Sequence, residues 1–148
     1  MNNRAINNLP DWQKGWIAGF IDGEGCIGVY KTRHNTYDKM SASIMVNNTH
    51  CASLNIICDI TQLGTVVPIS KANNDKYWKN RKSIWCWKIG SMLDIYTFLT
   101  ELTKYIFTKR QQAELVLEYC TGKLSNRPKH DPDYYYEQTL RLNKRGLK

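Results

Sequence analysis

The spacing of hydrophobic and polar positions divides the chain into nine predicted elements. Apolar residues three and four positions apart predict helices, and alternation of apolar and polar residues predicts strands. The predicted helices span residues 11–23, 49–63, 92–103, 109–121 and 132–143, and the predicted strands span 26–32, 39–47, 65–71 and 83–90. This order predicts an α+β fold with a four-stranded antiparallel sheet and helices on one face.

Capping and turn residues support these boundaries. Side-chain acceptors and prolines are typical of helix starts, and glycine is typical of helix ends. The residues that mark predicted starts are Asp11, Ser91 with Asp94 as a capping box, and Asp131 with Pro132, and those that mark predicted ends are Gly64 and Gly122.

Length and composition indicate one globular domain. The chain has 148 residues, of which 42% are hydrophobic and 23% charged, so it can bury an ordinary core. We expect a single domain over residues 1–148, with a core at about 11–122 and a C-terminal helical extension at 123–148. At least one of the three consecutive tyrosines in that extension should be buried. The first residues contain no apolar signal segment, and the longest apolar stretch is too short to cross a bilayer. We therefore expect an intracellular protein with no membrane partner.

The basic charge is concentrated in two segments. The formal net charge is +8, and residues 31–90 carry nine basic and three acidic groups while residues 123–148 carry seven and three. Such clustering favours a polyanionic partner, with a solvated basic surface as the alternative. The chain has five cysteines, none of them in a CxxC pair, and its three histidines do not complete the spacing of a zinc site. We therefore expect the cysteine thiols to be reduced.

A ridge of glycines follows the first predicted helix. Gly15, Gly19 and Gly23 are four residues apart and share one side of the helix. Each glycine costs about 1 kcal/mol relative to alanine in a helix, which calls for a compensating contact. The ridge predicts a close seam with a second helix, with Ala18 and Asp22 beside it. Tight packing of the helix on its own sheet is the alternative.

Two carboxylates occupy the end of this helix where negative charge is least favourable. Asp22 and Glu24 lie at the negative end of the helix dipole, and a bound cation would remove the conflict. Mg²⁺ takes one or two carboxylates and leaves its other positions to water and phosphate. A seam doubled by symmetry would bring two such acids to one axis, an arrangement suited to metal-assisted phosphodiester cleavage.

Residues 17–25, IAGFIDGEG, resemble the LAGLIDADG motif of homing endonucleases. The predicted αββαββα order over residues 11–121 resembles one unit of that family, and residues 98–102 and 109–117 resemble its late helices. Because the chain holds a single copy of the motif, the resemblance implies a homodimer that assembles through Gly15, Ala18, Gly19, Asp22 and Gly23.

The resemblance also assigns roles within the cleavage site. Glu24 occupies the position of the metal-binding acid, and the carbonyl of Gly23 also faces the metal. Lys109 occupies the position of a basic residue near the scissile phosphate. Asn48 lies where relatives order water around the metals, although it is equally suited to capping the helix that begins near residue 49.

The four strands are implied to form a DNA-binding saddle on which alternate residues face the grooves. The strand residues expected to face DNA are Tyr30, Thr32, His34, Lys39, Ser41, Ser43, Met45, Ile69 and Lys71, with Cys26 and Gly28 on the same face of the first strand. The basic residues expected to hold phosphate are Lys76, Lys79, Arg81 and Lys82. In the fourth strand the sequence leaves open whether Trp85 and Trp87 or Cys86 and Lys88 face outward.

The activity implied by the resemblance is site-specific cleavage of double-stranded DNA at a long, partly palindromic site, leaving 5′-phosphates and 3′ overhangs. Mg²⁺ is the implied cofactor, with Mn²⁺ as a substitute, and Ca²⁺ is expected to support binding with little cleavage. The implied setting is the cytoplasm or an organelle of an intron-bearing host. Two alternatives remain open: an RNA maturase that binds its host intron RNA, and a DNA-binding regulator without cleavage activity. The acid at Glu24 and the base at Lys109 favour the endonuclease.

Overall fold

A computed structural model describes residues 4–69 and 82–144 of the chain. The helices and strands, in chain order, are α1 (Asp11–Glu24), β1 (Gly25–His34), β2 (Tyr37–Asn48), α2 (Cys51–Thr61), β3 (Thr65–Pro68), β4 (Trp85–Ile89), α3 (Met92–Leu102), α4 (Arg110–Leu124) and α5 (Pro132–Leu142). Short 3₁₀ turns at Ala5–Asn8 and Thr103–Tyr105 precede α1 and follow α3. The predicted order of elements is confirmed.

The four strands form one antiparallel sheet in the order β1-β2-β4-β3. β1 and β2 are a long hairpin in which Gly25 pairs with Val46 and His34 pairs with Tyr37. The predicted α+β class with a four-stranded antiparallel sheet is therefore confirmed.

The core lies between the helices and one face of this sheet. The strand residues that face it alternate along each strand and include Ile27, Ile44 and Trp87, all fully buried. Trp87 packs against Phe98 of α3 with ring centroids 5.6 Å apart, and its indole N–H donates to the carbonyl of Leu63 at 3.0 Å. On the opposite face α5 approaches β1 at Gly28, where a Cβ would overlap Cγ2 of Thr139.

The start signals of the first and third helices act differently from the prediction. Asp11 is the first residue of α1 rather than its cap, and its carboxylate accepts a hydrogen bond from the hydroxyl of Tyr105. Ser91 is the N-cap of α3 but makes no side-chain capping bond. The capping-box prediction is wrong because the carboxylate of Asp94 binds Arg4 instead.

The glycines predicted to end helices also have other functions. α2 ends three residues before Gly64, and Gln62 takes the left-handed conformation at its end, with φ 54°. α4 continues past Gly122 to Leu124. A Cβ at Gly122 would lie 2.8 Å from Cα of Pro128, so this glycine permits close approach of the segment that follows α4.

Helix α5 closes the outer edge of β1. Asp131 caps α5 by accepting a hydrogen bond from the N–H of Tyr134 at 2.9 Å, as predicted. The hydroxyl of Thr139 accepts from the N–H of Val29 at 3.0 Å, and the amide of Asn143 donates to the carbonyl of Ile27 at 3.3 Å. Two backbone groups that an edge strand would leave unpaired are therefore satisfied by a helix.

Among the three tyrosines of α5, Tyr135 is the buried one, with 1% of its surface exposed. Its hydroxyl donates to Glu118 of α4 at 3.1 Å. Burial, and after it this bond to a carboxylate, raises the pKa of Tyr135 to about 12. The prediction that at least one of these tyrosines is buried is confirmed.

Candidate active site and nucleic-acid interface

One side of α1 is uncovered by the rest of the chain. A Cβ at Gly15, Gly19 or Gly23 would meet no atom within 4 Å. Trp12 is 71% exposed, and Trp16, adjacent to Gly15, is 39% exposed. The glycines therefore do not serve packing on the protein's own sheet, and the side of α1 that they share is open to another molecule.

Ala18 does not belong to this open side. Its side chain is fully buried in the core of the chain, so it is not available to a second chain and its assignment to the seam is wrong. The physical reason is the position of Ala18 on the helix: it follows Ile17 on the side that faces the sheet, whereas Gly15 and Gly19 point away.

Asp22 is half-buried and is engaged within its own chain. Its carboxylate accepts hydrogen bonds from the backbone N–H of Phe107 at 2.8 Å and of Lys109 at 3.1 Å. Burial raises the pKa of Asp22, but these bonds, with further bonds from Thr108, outweigh it and hold the pKa below its ordinary value. Asp22 thus fixes the turn before α4 against the end of α1, and leaves Phe107 83% exposed beside it.

Lys109 is brought to the end of α1 by this turn. Its ammonium donates to the carbonyl of Ile21 at 3.0 Å and to that of Asp22 at 2.8 Å. Both carbonyls belong to the last turn of α1, which carries the partial negative charge of the helix, and the carbonyl of Ile21 also accepts a hydrogen bond from the N–H of Gly25. The structure therefore places the predicted basic residue directly beside Gly23 and Glu24, although the sequence separation is more than 80 residues.

Glu24 ends α1 with an exposed side chain. Over residues 4–69 and 82–144, no hydrogen bond or ion pair engages its carboxylate. The carbonyl of Gly23 is likewise one of the last four of α1 and has no partner within the helix. A free carboxylate beside a free carbonyl is the oxygen donor pair that suits Mg²⁺. Within the described parts of this single chain, no cluster of three or more histidine, cysteine or acidic side chains is placed to hold a metal.

Asn48 lies at the end of β2. Because β2 continues two residues past Val46, the partner of Gly25, Asn48 reaches the same end of the sheet as Glu24. Its side-chain oxygen accepts from the N–H of His50 at 2.8 Å. This is an Asx turn that precedes α2, whose N-cap is His50 rather than Asn48. The simple capping alternative is therefore corrected.

The register of the hairpin places the predicted DNA-facing residues on one surface, which we call the outward face. Directly paired residues share a face, and this surface is opposite to the one that carries Ile27 and Ile44. The pairs on it are Cys26 with Met45, Gly28 with Ser43, Tyr30 with Ser41, Thr32 with Lys39, and His34 with Tyr37. The rings of His34 and Tyr37 stack at the tip of the hairpin, with centroids 6.0 Å apart.

Ser43 is an exception on the outward face. Only 5% of its surface is exposed, so its assignment to direct DNA contact is corrected. The ring of Tyr30 lies over Gly28, which is the register partner of Ser43. Burial raises the pKa of Tyr30 above its ordinary value. Tyr30, which is half-buried, therefore covers this position.

The outward residues of β3 and β4 follow from their pairing with β2. Lys88 pairs with Met45 and Thr65, and Cys86 pairs with Asn47 and Val67. Trp87 faces the core, which decides the open alternative in favour of Cys86 and Lys88 as outward residues. The only polar signal in this strand is Lys88, because Trp85, Cys86 and Trp87 are all apolar.

Ile69 lies just past β3, is 40% exposed, and bonds through its N–H to the carbonyl of Ile84 at 2.9 Å. Lys82 is exposed. The predicted DNA contacts Lys71, Lys76, Lys79 and Arg81 lie outside the described residues.

Two sequence comparisons agree on the family. Residues 17–113 match the family model described as LAGLIDADG endonuclease. The DNA endonuclease I-CvuI of Chlorella vulgaris is 32% identical over 137 residues, which cover 89% of this chain and 76% of that protein. The chain belongs to the LAGLIDADG endonuclease family. Its motif, residues 17–25, forms the second half of α1 and the first residue of β1.

Solved structures of LAGLIDADG endonucleases share this fold. The homing endonuclease I-CvuI, crystallised with the I-CreI target in 2 mM Mg with the DNA not cleaved, aligns with TM-score 0.73 at 24% identity, covering 93% of this chain and 86% of that chain. The same enzyme with its target in 2 mM Ca gives 0.72 at 23% identity, covering 93% and 85%. An archaeal intron-encoded homing endonuclease complexed with DNA gives 0.71 at 15% identity, covering 93% and 88%.

None of the helices within residues 4–69 and 82–144 is long and apolar enough to cross a membrane.

Proposed function

We propose that the protein is a homodimeric, site-specific endonuclease of double-stranded DNA. It hydrolyses one phosphodiester bond in each strand with a divalent metal ion and leaves 5′-phosphates and 3′ overhangs. The observation that carries the proposal is the open glycine side of α1, which ends at Glu24, whose carboxylate no other described residue binds.

The dimer forms through the open side of α1. Glycines with no neighbour within 4 Å allow the backbone of a second α1 to approach closely. Trp12 and Phe107, exposed at 71% and 83%, flank this side, and burying side chains of this size gives about 1.5–3 kcal/mol each. A two-fold axis here brings two Glu24 carboxylates together and explains a partly palindromic target.

The outward face of the sheet binds the DNA. Among its described strand residues it has Lys39 and Lys88 and no acidic residue, so its sign suits a polyanion. The relatives named above were solved in complex with DNA, which supports DNA as the ligand of this protein.

Glu24 and the Gly23 carbonyl would hold the metal ion in each protomer. Mg²⁺ is the proposed ion, and Mn²⁺ is proposed to replace it. When bound, the ion supplies activation of the attacking water and stabilisation of the leaving 3′ oxygen.

Lys109 contributes positive charge at the reacting phosphate. A lysine ammonium has three donors, and two of them bind the carbonyls of Ile21 and Asp22. The third remains for a phosphate oxygen beside Glu24. Asp22 orients Lys109 through the backbone N–H of that residue, so Asp22 is a positioning residue. Asn48, at the same end of the sheet, is proposed to order water.

The test is the Glu24→Gln variant. It removes the charge that holds the cation and keeps the shape, while the sheet that binds DNA is unchanged. We expect target binding within a few-fold of wild type and single-turnover cleavage in Mg²⁺ reduced at least about 100-fold. Ca²⁺ should support binding of the wild type with little cleavage. Glu137→Gln, which changes an exposed side chain of α5, is the matched control and should cleave normally.

The same experiment separates the alternatives. Cleavage by Glu24→Gln close to wild type removes Glu24 from the active site. A wild-type protein that binds DNA specifically in Mg²⁺ without nicking it would be a regulator. A wild-type protein that binds intron RNA tightly, rather than DNA, would be a maturase.

A further inference from the structure

The outward face of the sheet is almost uncharged apart from its two lysines. Its other described strand residues are neutral side chains such as Tyr30, Ser41 and Met45. Lys39 is on the β1–β2 hairpin toward its tip, opposite Thr32. Lys88 is on β4 at the other end of the face. The two lysines therefore lie over different parts of any duplex bound along the sheet.

Lys88 lies on an interior strand of the sheet and has no counter-ion among the described residues. β4 lies between β2 and β3, and the direct partners of Lys88 are Met45 and Thr65. Lys88 is exposed, and within the described ranges no ion pair or hydrogen bond engages its ammonium. A full positive charge with three donors is thus presented from an interior strand whose neighbouring outward residues, Met45 and Thr65, are neutral.

The row that contains Lys88 is next to the proposed cleavage site. Met45 pairs with Lys88 on one side and with Cys26 on the other, and Cys26 is two residues after Glu24. Paired strands are about 4.8 Å apart, so Lys88 lies about 10 Å across the sheet from Cys26. It therefore faces base pairs in the inner part of each half-site.

We propose that Lys88 reads a guanine in the inner part of each half-site. The inference rests on the proposed function and adds a specificity-determining residue to it. In the major groove only guanine presents two acceptors, O6 and N7, while adenine and cytosine each present an amino donor that repels an ammonium. Phosphate contacts position a protein on DNA and base contacts specify the sequence, and a single lysine among neutral side chains on an interior strand suits a base contact.

The experiment selects cleavable sites from a randomised DNA pool, for the wild type and for Lys88→Met, Lys88→Arg and Lys39→Met. We expect the wild type to require guanine at one position in each half-site, mirrored about the centre. Lys88→Met should lower the preference for guanine there about 10-fold, which corresponds to the loss of one good base contact. Lys88→Arg should keep it, because arginine also donates to O6 and N7.

Lys39→Met is the matched control, since it removes the other cation of the face. It should leave the guanine position of Lys88 unchanged. A uniform loss of binding across all sequences for Lys88→Met, with a salt dependence lower by about one charge, would show that Lys88 holds phosphate and would overturn the inference. An unchanged base preference would overturn it as well.

The two proposals fail in different ways. If the wild type cleaves no member of the pool, the proposed function fails and this inference with it. If the wild type cleaves a defined site and Lys88→Met selects the same bases, only the role of Lys88 is wrong.

Discussion

The first and the last helix of the protein use glycine in opposite ways. On α1, Gly19 has no atom within 4 Å of the place where a Cβ would be. Under α5, a Cβ at Gly28 would overlap Cγ2 of Thr139 and lie 2.9 Å from the ring of Tyr30. One glycine marks a surface kept open for another molecule, and the other marks a contact already made within the chain.

The two helices differ in the same way in their aromatic residues. Trp12 and Trp16 of α1 are 71% and 39% exposed, whereas Tyr135 of α5 is buried and bonded to Glu118. Exposed aromatic surface beside glycines is typical of an interface. The comparison shows that substitutions on α1 should affect assembly, whereas substitutions beneath α5 should affect the free energy of unfolding.

The largest expected effect is on assembly. Gly19→Leu places a branched side chain where a second α1 would lie, and leucine is a better helix former than glycine, so the folded protomer should not be destabilised. We expect the dimer dissociation constant to rise at least about 100-fold, since about 3 kcal/mol of contact is lost. Sedimentation equilibrium measures this change, and cleavage should fall with it.

The control for that variant is Gly90→Leu, because Gly90 has equally open surroundings away from α1. It should dimerise like the wild type. A Gly19→Leu protein that remains a tight dimer would show that α1 does not form the interface.

The second-largest expected effect is on the free energy of unfolding, from a substitution at Gly28 beneath α5. Gly28→Ala forces its new methyl group against Thr139 and Tyr30, and overpacking of this kind costs about 1–3 kcal/mol. Urea unfolding measures the loss, with Gly90→Ala as the neutral control. Adding Thr139→Ser, which removes the methyl group that the alanine meets, should recover part of the loss. If the double variant is no more stable than Gly28→Ala alone, the overlap with Thr139 is not the cause.

A smaller loss is expected from Thr139→Val. It keeps the shape of the side chain but leaves the buried N–H of Val29 without its acceptor, which costs about 1–2 kcal/mol. Thr139→Ser retains the hydroxyl and should cost less. Hydrogen exchange of the Val29 amide should accelerate in the valine variant only, and equal protection in both would contradict the role of this bond.

The smallest expected effect is a change with pH in the free energy of unfolding. It comes from Asp22, on the side of α1 that contacts its own chain. The pKa of Asp22 is lower in the folded protein than its ordinary value of 3.8, so the unfolded chain binds more protons below that value. The stabilisation is complete above pH 3.8 and is lost as the pH falls through the folded pKa. In urea unfolding, the stability gap between wild type and Asp22→Asn should therefore shrink on acidification. A gap for Asp22→Asn that stays constant down to pH 3 would show that the bonds from Phe107 and Lys109 do not stabilise the charged form.

The sequence predicted the elements well because the two periodicities are local properties. Alternation in β1 and β2 and the 3.6-residue spacing of the helices depend on residues a few positions apart, and Asp131 caps α5 through a bond three residues long. Where a boundary prediction failed, a distant partner had taken the local signal: Asp94 binds Arg4, and Gly122 meets Pro128.

The polar residues of β1 and β2 were enough to predict which of their side chains face outward. The residues of β4 were not. Trp85, Cys86 and Trp87 would be acceptable on either face by hydrophobicity alone, and pairing with β2 decided between them. The burial of Ser43 and Ala18 also depends on tertiary packing. Ser43 is covered by residues that are distant in the sequence, and Ala18 is buried because of the orientation of α1 as a whole.

The sequence by itself therefore determined the order of elements, the motif with Glu24 at its end, and the glycine ridge of α1. Only the tertiary structure decided which surfaces remain open and how the polar groups pair. Lys109 and Asp22 are 87 residues apart, and Val29 and Thr139 are 110 apart. Such bonds are set by the packing of whole elements, since a buried N–H or a free helix carbonyl takes the partner that the fold brings within reach.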